Sequence, residues 1–272
     1  MPYVRGREVH RPVNDILDNV KRLYEEGVRE ISLLGQNVNS YIDGDIDFPK
    51  LLALIAEKSN MPRIGFLTSH PKDFSEALAD VIASHENIMP MVHLPFQAGS
   101  NSVLKRMNRK YTREDYIKKI EIAKKIPDVV LTTDIMVGFP GESEEDFEQT
   151  LDIVKRVAFH EAYMYRYNQR PGTRAESFND QVPEEIKLER LDRLIKIQNE
   201  ITANLLNKEV GKTHLCLFEN ISKRNKKELI GRTHNGLRVV VEAEATQTGK
   251  IYRVKINGLA GNTLKAAVVN RT

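Results

Sequence analysis

His70, His93 and Asp134 are the residues best placed by type and neighbourhood to do chemistry. His70 precedes Pro71, His93 stands two residues before Pro95, and Asp134 interrupts the β-branched, apolar run Val129–Val137. Imidazoles exchange protons near neutral pH and ligate metals. The sequence has no His-x-x-x-His or Cys-x-x-Cys spacing, so the two histidines read as polar substrate contacts rather than zinc ligands. A carboxylate in an apolar run is costly unless paired. Asp134 therefore either has a hydrogen-bonded role near a site or meets a backbone N–H, Lys or Arg. Gly138-Phe-Pro-Gly-Glu142 reads like a phosphate-binding turn. Its spacing is neither a Walker A loop nor a dinucleotide fingerprint, and no Lys-Ser/Thr pair follows it, which argues against an NTPase. The single cysteine, Cys216, excludes a disulfide framework and fits a reducing cytosol. One thiol is also too few to hold a 4Fe-4S centre.

The elements that must position these groups alternate between helix and strand. Ile16, Leu17, Val20, Leu23 and Tyr24 share one helical face within 14–26, with Gly27 placed to end the helix. The pattern predicts strands over 30–34, 63–69, 89–94, 129–137 and 162–167. It predicts helices over 48–58, from Asp73 to Ala83, from Thr112 to Lys125, and from Ser143 onward; Asp73/Glu76, Thr112/Asp115 and Ser143/Asp146 are the capping pairs. Five strands separated by helices imply right-handed crossovers and a parallel sheet or barrel. Chemistry in such folds sits where strands end. The Gly35-Gln-Asn, Ser69-His-Pro, His93–Gln97, Gly138–Glu142 and Arg170–Thr173 clusters all fall at that end. Pro183 opens a helical connector, 183–207. Beyond it, short β-rich runs (213–218, 237–241, 251–259 and 263–268) alternate with Gly, Asn and Lys turns, the pattern of a small antiparallel barrel.

Charge divides along the same boundary. Residues 208–272 hold 13 Lys and Arg against 5 Asp and Glu, whereas the remainder holds 28 against 33. A basic module on a mildly acidic body suits a polyanion such as RNA. Lys223, Arg224, Lys226, Lys227, Arg232, Arg238 and Arg253 are the candidate phosphate contacts. No stretch approaches the roughly 18 apolar residues of a membrane helix, and no signal peptide opens the sequence. The expectation is a cytoplasmic protein with no membrane partner.

Several stretches resemble the methylthiotransferases of the radical S-adenosylmethionine (SAM) class. They are Pro2–Glu8, Thr68–Asp73, His93–Ser100, Met107–Arg113, Thr132–Glu142 and Arg170–Thr173. Leu34-Gly-Gln-Asn-Val-Asn-Ser-Tyr41 is similar to the MiaB-type tRNA branch in particular. The tail resembles a TRAM domain, an RNA-binding β-barrel. The resemblance implies an incomplete radical SAM (β/α) barrel over 1–207, lacking its first strand, and a TRAM barrel over 208–272. It implies SAM and 4Fe-4S clusters as cofactors, and the anticodon stem-loop of tRNA as partner. A deoxyadenosyl radical would abstract hydrogen from C2 of a modified adenosine, where sulfur and methyl are then installed. Gly35, Gln36, Asn37, Ser69, His70, Gln97, Asp134 and Gly138 would border SAM or the target base; Gly138 would let backbone approach SAM. Arg5 and Arg7 would lie beside the cluster loop. The family's C-x-x-x-C-x-x-C motif is absent from the chain, so the chain by itself is expected to be inactive. The alternatives are a non-catalytic tRNA- and SAM-binding piece, and an unrelated parallel-barrel enzyme using His70, His93 and Asp134 as acid and base.

Overall fold

Alternation of apolar runs with capped helices produces a curved, all-parallel sheet. The computed structural model describes residues 9–35, 37–67, 70–223, 225–242, 244 and 247–271. Helix α1 (Val13–Glu25) leads into β1 (Glu30–Leu33), and a short hairpin, β2 (Ile42–Asp43) and β3 (Ile46–Asp47), precedes α2 (Phe48–Lys58). Then follow β4 (Arg63–Phe66), α3 (Glu76–Ser84), β5 (Met91–His93), α4 (Asn101–Arg106), α5 (Arg113–Ala123), β6 (Val130–Val137), α6 (Glu144–Val157) and β7 (Glu161–Arg166). Strand β1 pairs with β4, and β5, β6 and β7 pair in sequence, all in parallel. A parallel bridge from Ile64 to Ile88 joins the two groups.

All five expected strands form. The capping boxes at Thr112/Asp115 and Ser143/Asp146 close as expected. The helix expected from Asp73 starts later: Ser75 caps it by accepting from Leu78 N–H, and Pro71–Asp73 is a 3-10 turn. One face of the sheet carries the helices. Val92, Ile135 and Val137 on that face are completely buried with Phe48, Ile55, Phe66, Phe147 and Val154. Burial of each such side chain contributes about 1.5–3 kcal/mol.

Helix α7 (Glu184–Asn207), with Pro183 at its N-cap, runs to the tail. There β8 (Thr213–Ile221), β9 (Glu228–Thr233), β10 (Arg238–Glu242), β11 (Ile251–Ala260) and β12 (Thr263–Arg271) close a five-stranded barrel. Its core is Cys216, Phe218, Leu229, Val239, Tyr252, Val254, Ile256 and Leu264, joined by Leu206 of α7 and Val130 of β6. The sequence pattern gives four strands here. The fifth, β9, contains Gly231, which reads as a turn signal. In the fold Gly231 lies where β8 crosses it closely: a Cβ there would stand 2.3 Å from the Leu217 carbonyl oxygen. One pairing in the barrel, β10 with β12, is parallel.

The barrel docks beneath the amino-terminal ends of the sheet strands. Arg63, the first residue of β4 and only 2% exposed, donates to the carbonyls of Arg232 (3.0 Å) and Thr233 (2.9 Å) and pairs with Glu30 (2.8 Å). Arg232 reaches Glu30 (2.9 Å) and Glu219 (2.6 Å), and Arg238 reaches Glu161 (2.9 Å). Asn235 donates to the Asp128 carbonyl and His234 Nε2 lies 3.2 Å from that of Ile88. Two of the expected RNA contacts, Arg232 and Arg238, are thus engaged in joining the barrel to the sheet. The sequence could not distinguish them, because a cation meeting a carboxylate 202 positions away carries no local signal.

Candidate functional site

The carboxyl-terminal ends of the strands form a rim laced together by side chains. Asn37, after β1, donates from Nδ2 to Asp73 (2.6 Å) and accepts at Oδ1 from the His70 backbone N–H (3.2 Å). This ties the loop after β1 to the loop after β4. The His70 ring packs edge-on to Tyr111 at 5.7 Å, and Tyr111 donates to the Phe96 carbonyl (3.1 Å) beyond β5. Burial lowers the His70 pKa, favouring the neutral ring, and pushes the Tyr111 phenol up to about 12. Gln97 takes a left-handed backbone, φ +67°, which costs a non-glycine residue about 1–3 kcal/mol. Two bonds hold it there: its N–H donates to the Asp134 carbonyl (2.9 Å), and its own carbonyl accepts from Met136 (2.8 Å). Gly35 lies on the same rim. Gln36, Ser69, Arg224, Arg5 and Arg7 lie outside the described residues.

Below the rim, on the face turned away from the helices, His93 and Asp134 come together. His93 Nδ1 lies 2.8 Å from Thr132 Oγ1, and its Nε2 lies 3.6 Å from Asp134 Oδ1. The Asp134 side chain is 31% exposed. Strand alternation explains this: Thr133, Ile135 and Val137 point into the helical layer, so Asp134 points out of it. The expectation of a buried carboxylate is corrected accordingly. Tyr163 of β7 meets the His93 ring edge-on at 6.0 Å. His70 makes its contacts with Asn37, Lys72, Asp73 and Tyr111, and no hydrogen bond or ring contact among the described residues joins it to the His93–Asp134 pair.

The loop after β6 is braced from α7. The Gly138 N–H donates to Glu142 Oε1 (2.8 Å), and Arg190 donates to the same oxygen (2.9 Å) and to the Glu142 carbonyl (3.1 Å). Gly138 has φ +71°, and a Cβ there would lie 2.4 Å from Lys187 Cγ. The space freed by this glycine is filled by a lysine stem. Gly138→Ala meets both the backbone strain and the clash, and is expected to lose about 1–3 kcal/mol of stability in urea unfolding. Burial pushes the Glu142 carboxyl up to about 7, against the pull of the Gly138 N–H and Arg190. The folded protein therefore holds this proton better than the unfolded chain between about 4.5 and 7. That contribution is full below 4.5 and is lost as pH rises through 7. Between pH 5 and 7.5 the urea midpoint of the unaltered chain should fall relative to that of Glu142→Gln, which lacks the titration.

With this geometry in place, comparison with known proteins is decisive. Residues 1–154, more than half the chain, match the family model of the radical SAM superfamily. The chain belongs to the radical SAM superfamily. A second model, the TRAM domain, matches residues 207–269. The tRNA-2-methylthio-N(6)-dimethylallyladenosine synthase of Treponema denticola is 48% identical over 278 residues, covering 98% of this chain and 62% of that protein. The protein of the same name from Acetivibrio thermocellus is 48% identical over 99% of this chain and 57% of its own length. The chain thus spans about three fifths of these curated relatives. Among solved structures, coproporphyrinogen III oxidase (HemN) from Escherichia coli, a radical SAM enzyme, superposes with a TM-score of 0.53. It covers 89% of this chain and 60% of that one, at 14% identity, a likeness of fold.

Radical SAM proteins work with SAM and a 4Fe-4S cluster, and the residues of this chain do not fit the cluster. Its single cysteine, Cys216, is buried in the barrel core, and burial pushes the thiol up to about 12, which disfavours the thiolate that binds iron. Among the described residues no group of three or more His, Cys, Asp or Glu is arranged to hold a metal. No helix of the described residues is long and apolar enough to cross a membrane.

Proposed function

We propose that this chain serves a tRNA methylthiotransferase acting at C2 of an N6-dimethylallyladenosine beside the anticodon, in the cytoplasm. The observation that carries this reading is 48% identity across 98% of the chain to a synthase of that name. Gly35, Asn37, His70, Gln97 and Gly138 of the rim and Asp134 below it are assigned to SAM and the target base, and so are Gln36 and Ser69, which lie outside the described residues. The ribs between Asn37, His70 and Tyr111 keep three loops at one height for that purpose. Arg190 and Lys187 brace the fourth from beneath.

Lys223, Arg224, Lys226, Lys227 and Arg253 are assigned to RNA phosphates, with Arg232 and Arg238 holding the barrel in place. Lys223, Lys226, Lys227 and Arg253 are exposed. The division of labour proposed here is one module that grips RNA, 208–272, and one that presents the base, 1–207, linked by the helix from 183. The lack of a thiolate set favours a second statement about the isolated chain: it binds RNA and SAM without turnover.

The test is mass-spectrometric detection of 2-methylthio-N6-dimethylallyladenosine in tRNA treated with the full-length gene product carrying reconstituted clusters. Failure to form it rejects the reading. Product formed by the 272 residues alone would reject the assignment of inactivity.

A further inference from the structure

We infer that Tyr163 and Tyr165 of β7, together with His93 and Asp134, form a reading site for an adenine ring on the inner face of the sheet. The inference rests on the proposed methylthiotransferase function and names the residues that would select its base.

Two large rings stand on one strand face with little covering them. Tyr163 is 42% and Tyr165 54% exposed, while the intervening Met164 packs against the main core. Residues two apart on a strand share a face. Their Cα atoms are about 6.6 Å apart at roughly 3.3 Å per residue. That is about twice the 3.4 Å spacing of stacked bases, a backbone spacing that would admit one base if the two rings lie parallel. Exposed aromatic pairs of this kind are how proteins hold bases taken out of a helix. Asp134 pairs in register with Tyr163, and Met136 with Tyr165, so the acidic group and the first ring lie side by side.

The polar pair beside the rings can present a donor next to an acceptor. In the tautomer in which Thr132 Oγ1 donates to His93 Nδ1, the ring proton is on Nε2. His93 then offers a donor next to the Asp134 acceptor, 3.6 Å away. Adenine presents the complement, N7 as acceptor beside an N6–H donor, whereas guanine presents two acceptors there, N7 and O6. An N6-alkylated adenine keeps one N6–H, so the match survives that modification. Guanine O6 would face a carboxylate with no proton between them.

Adenine occurs both in RNA and in SAM, and two measurements separate the sources. The first is the affinity of the chain for a labelled RNA hairpin with adenine or guanine at one loop position, read by fluorescence anisotropy. The second is its affinity for SAM, read by equilibrium dialysis. The Tyr163→Ala/Tyr165→Ala double variant should bind the adenine hairpin about tenfold more weakly. It should lose the preference over guanine, while Tyr163→Phe/Tyr165→Phe retains it. Asp134→Asn should narrow the same preference. A loss of SAM affinity in place of RNA affinity supports the site and assigns its ring to SAM. Unchanged affinity for both ligands in the double alanine variant overturns it. The methylthiolation test is independent: product from full-length protein with unaltered hairpin and SAM binding in the tyrosine variants would sink the site alone, and adenine preference without product would sink the function alone.

Discussion

Replacing Arg63 with methionine should lower the unfolding free energy of the chain by about 3 kcal/mol, more than any single exposed substitution. The argument is one of stranded partners. Arg63 is 2% exposed and serves the Glu30 carboxylate and two carbonyls of the barrel, those of Arg232 and Thr233. Methionine fills similar volume but removes the Arg63 donors to both carbonyls, of which that of Thr233 keeps the Gly236 N–H (2.9 Å). Removing one member of a buried pair costs about 3–5 kcal/mol when the other is left uncompensated; Arg232 still reaches Glu30, which places the expected loss near the lower end. Urea unfolding measures it. A loss below 1 kcal/mol would show that the barrel is held to the sheet by its apolar contacts, Val130 and Leu206, rather than by this guanidinium.

The second large effect concerns salt. Lys223, Lys226, Lys227 and Arg253 have no ion pair among the described residues and are exposed. Each is assigned one phosphate. For single strands the slope of log K against log salt changes by about 0.7 per phosphate contact, so alanine at all four positions should flatten it by about 2.8. The affinity lost at low salt should fall equally on adenine and guanine hairpins, because phosphate contacts carry no base information. Arg238→Ala provides the contrast. Its pair with Glu161 is solvent-exposed, worth about 0–1 kcal/mol to stability, and its removal should leave the slope unchanged. A slope that drops equally for Arg238→Ala and for any one of the four would overturn this partition of the basic residues.

The parallel sheet was legible because its signals are local. Val129–Val137 is a largely β-branched, apolar run interrupted by Asp134, and Thr112/Asp115 and Ser143/Asp146 mark helix starts within four residues. The misreadings share the opposite cause. Gly231 looks like a turn residue, but its reason lies 14 positions away at the Leu217 carbonyl. Asp134 looks buried in a run whose second face is buried at Val130 and Thr132 but opens at Asp134 and Met136. Arg63 gives no hint that it will become one of the largest fully buried side chains. The rim loops could be placed at one end of the sheet from strand order alone. The ribs between Asn37, His70 and Tyr111 could not, since they depend on side-chain directions that periodicity does not encode. Tyr163 and Tyr165 carried a readable signal, two aromatics in alternation on a strand, that a search for acids, bases and glycines passes over.

The barrel lies under the starting ends of the strands, and the rim lies at their finishing ends. The eight residues of β6 set that separation at roughly 23 Å. On the proposed function this distance works as a ruler. A free nucleoside reaches one end only, whereas a folded RNA that lays its backbone on the barrel and projects a base toward the sheet engages both, so candidates are sorted by reach before any base is read.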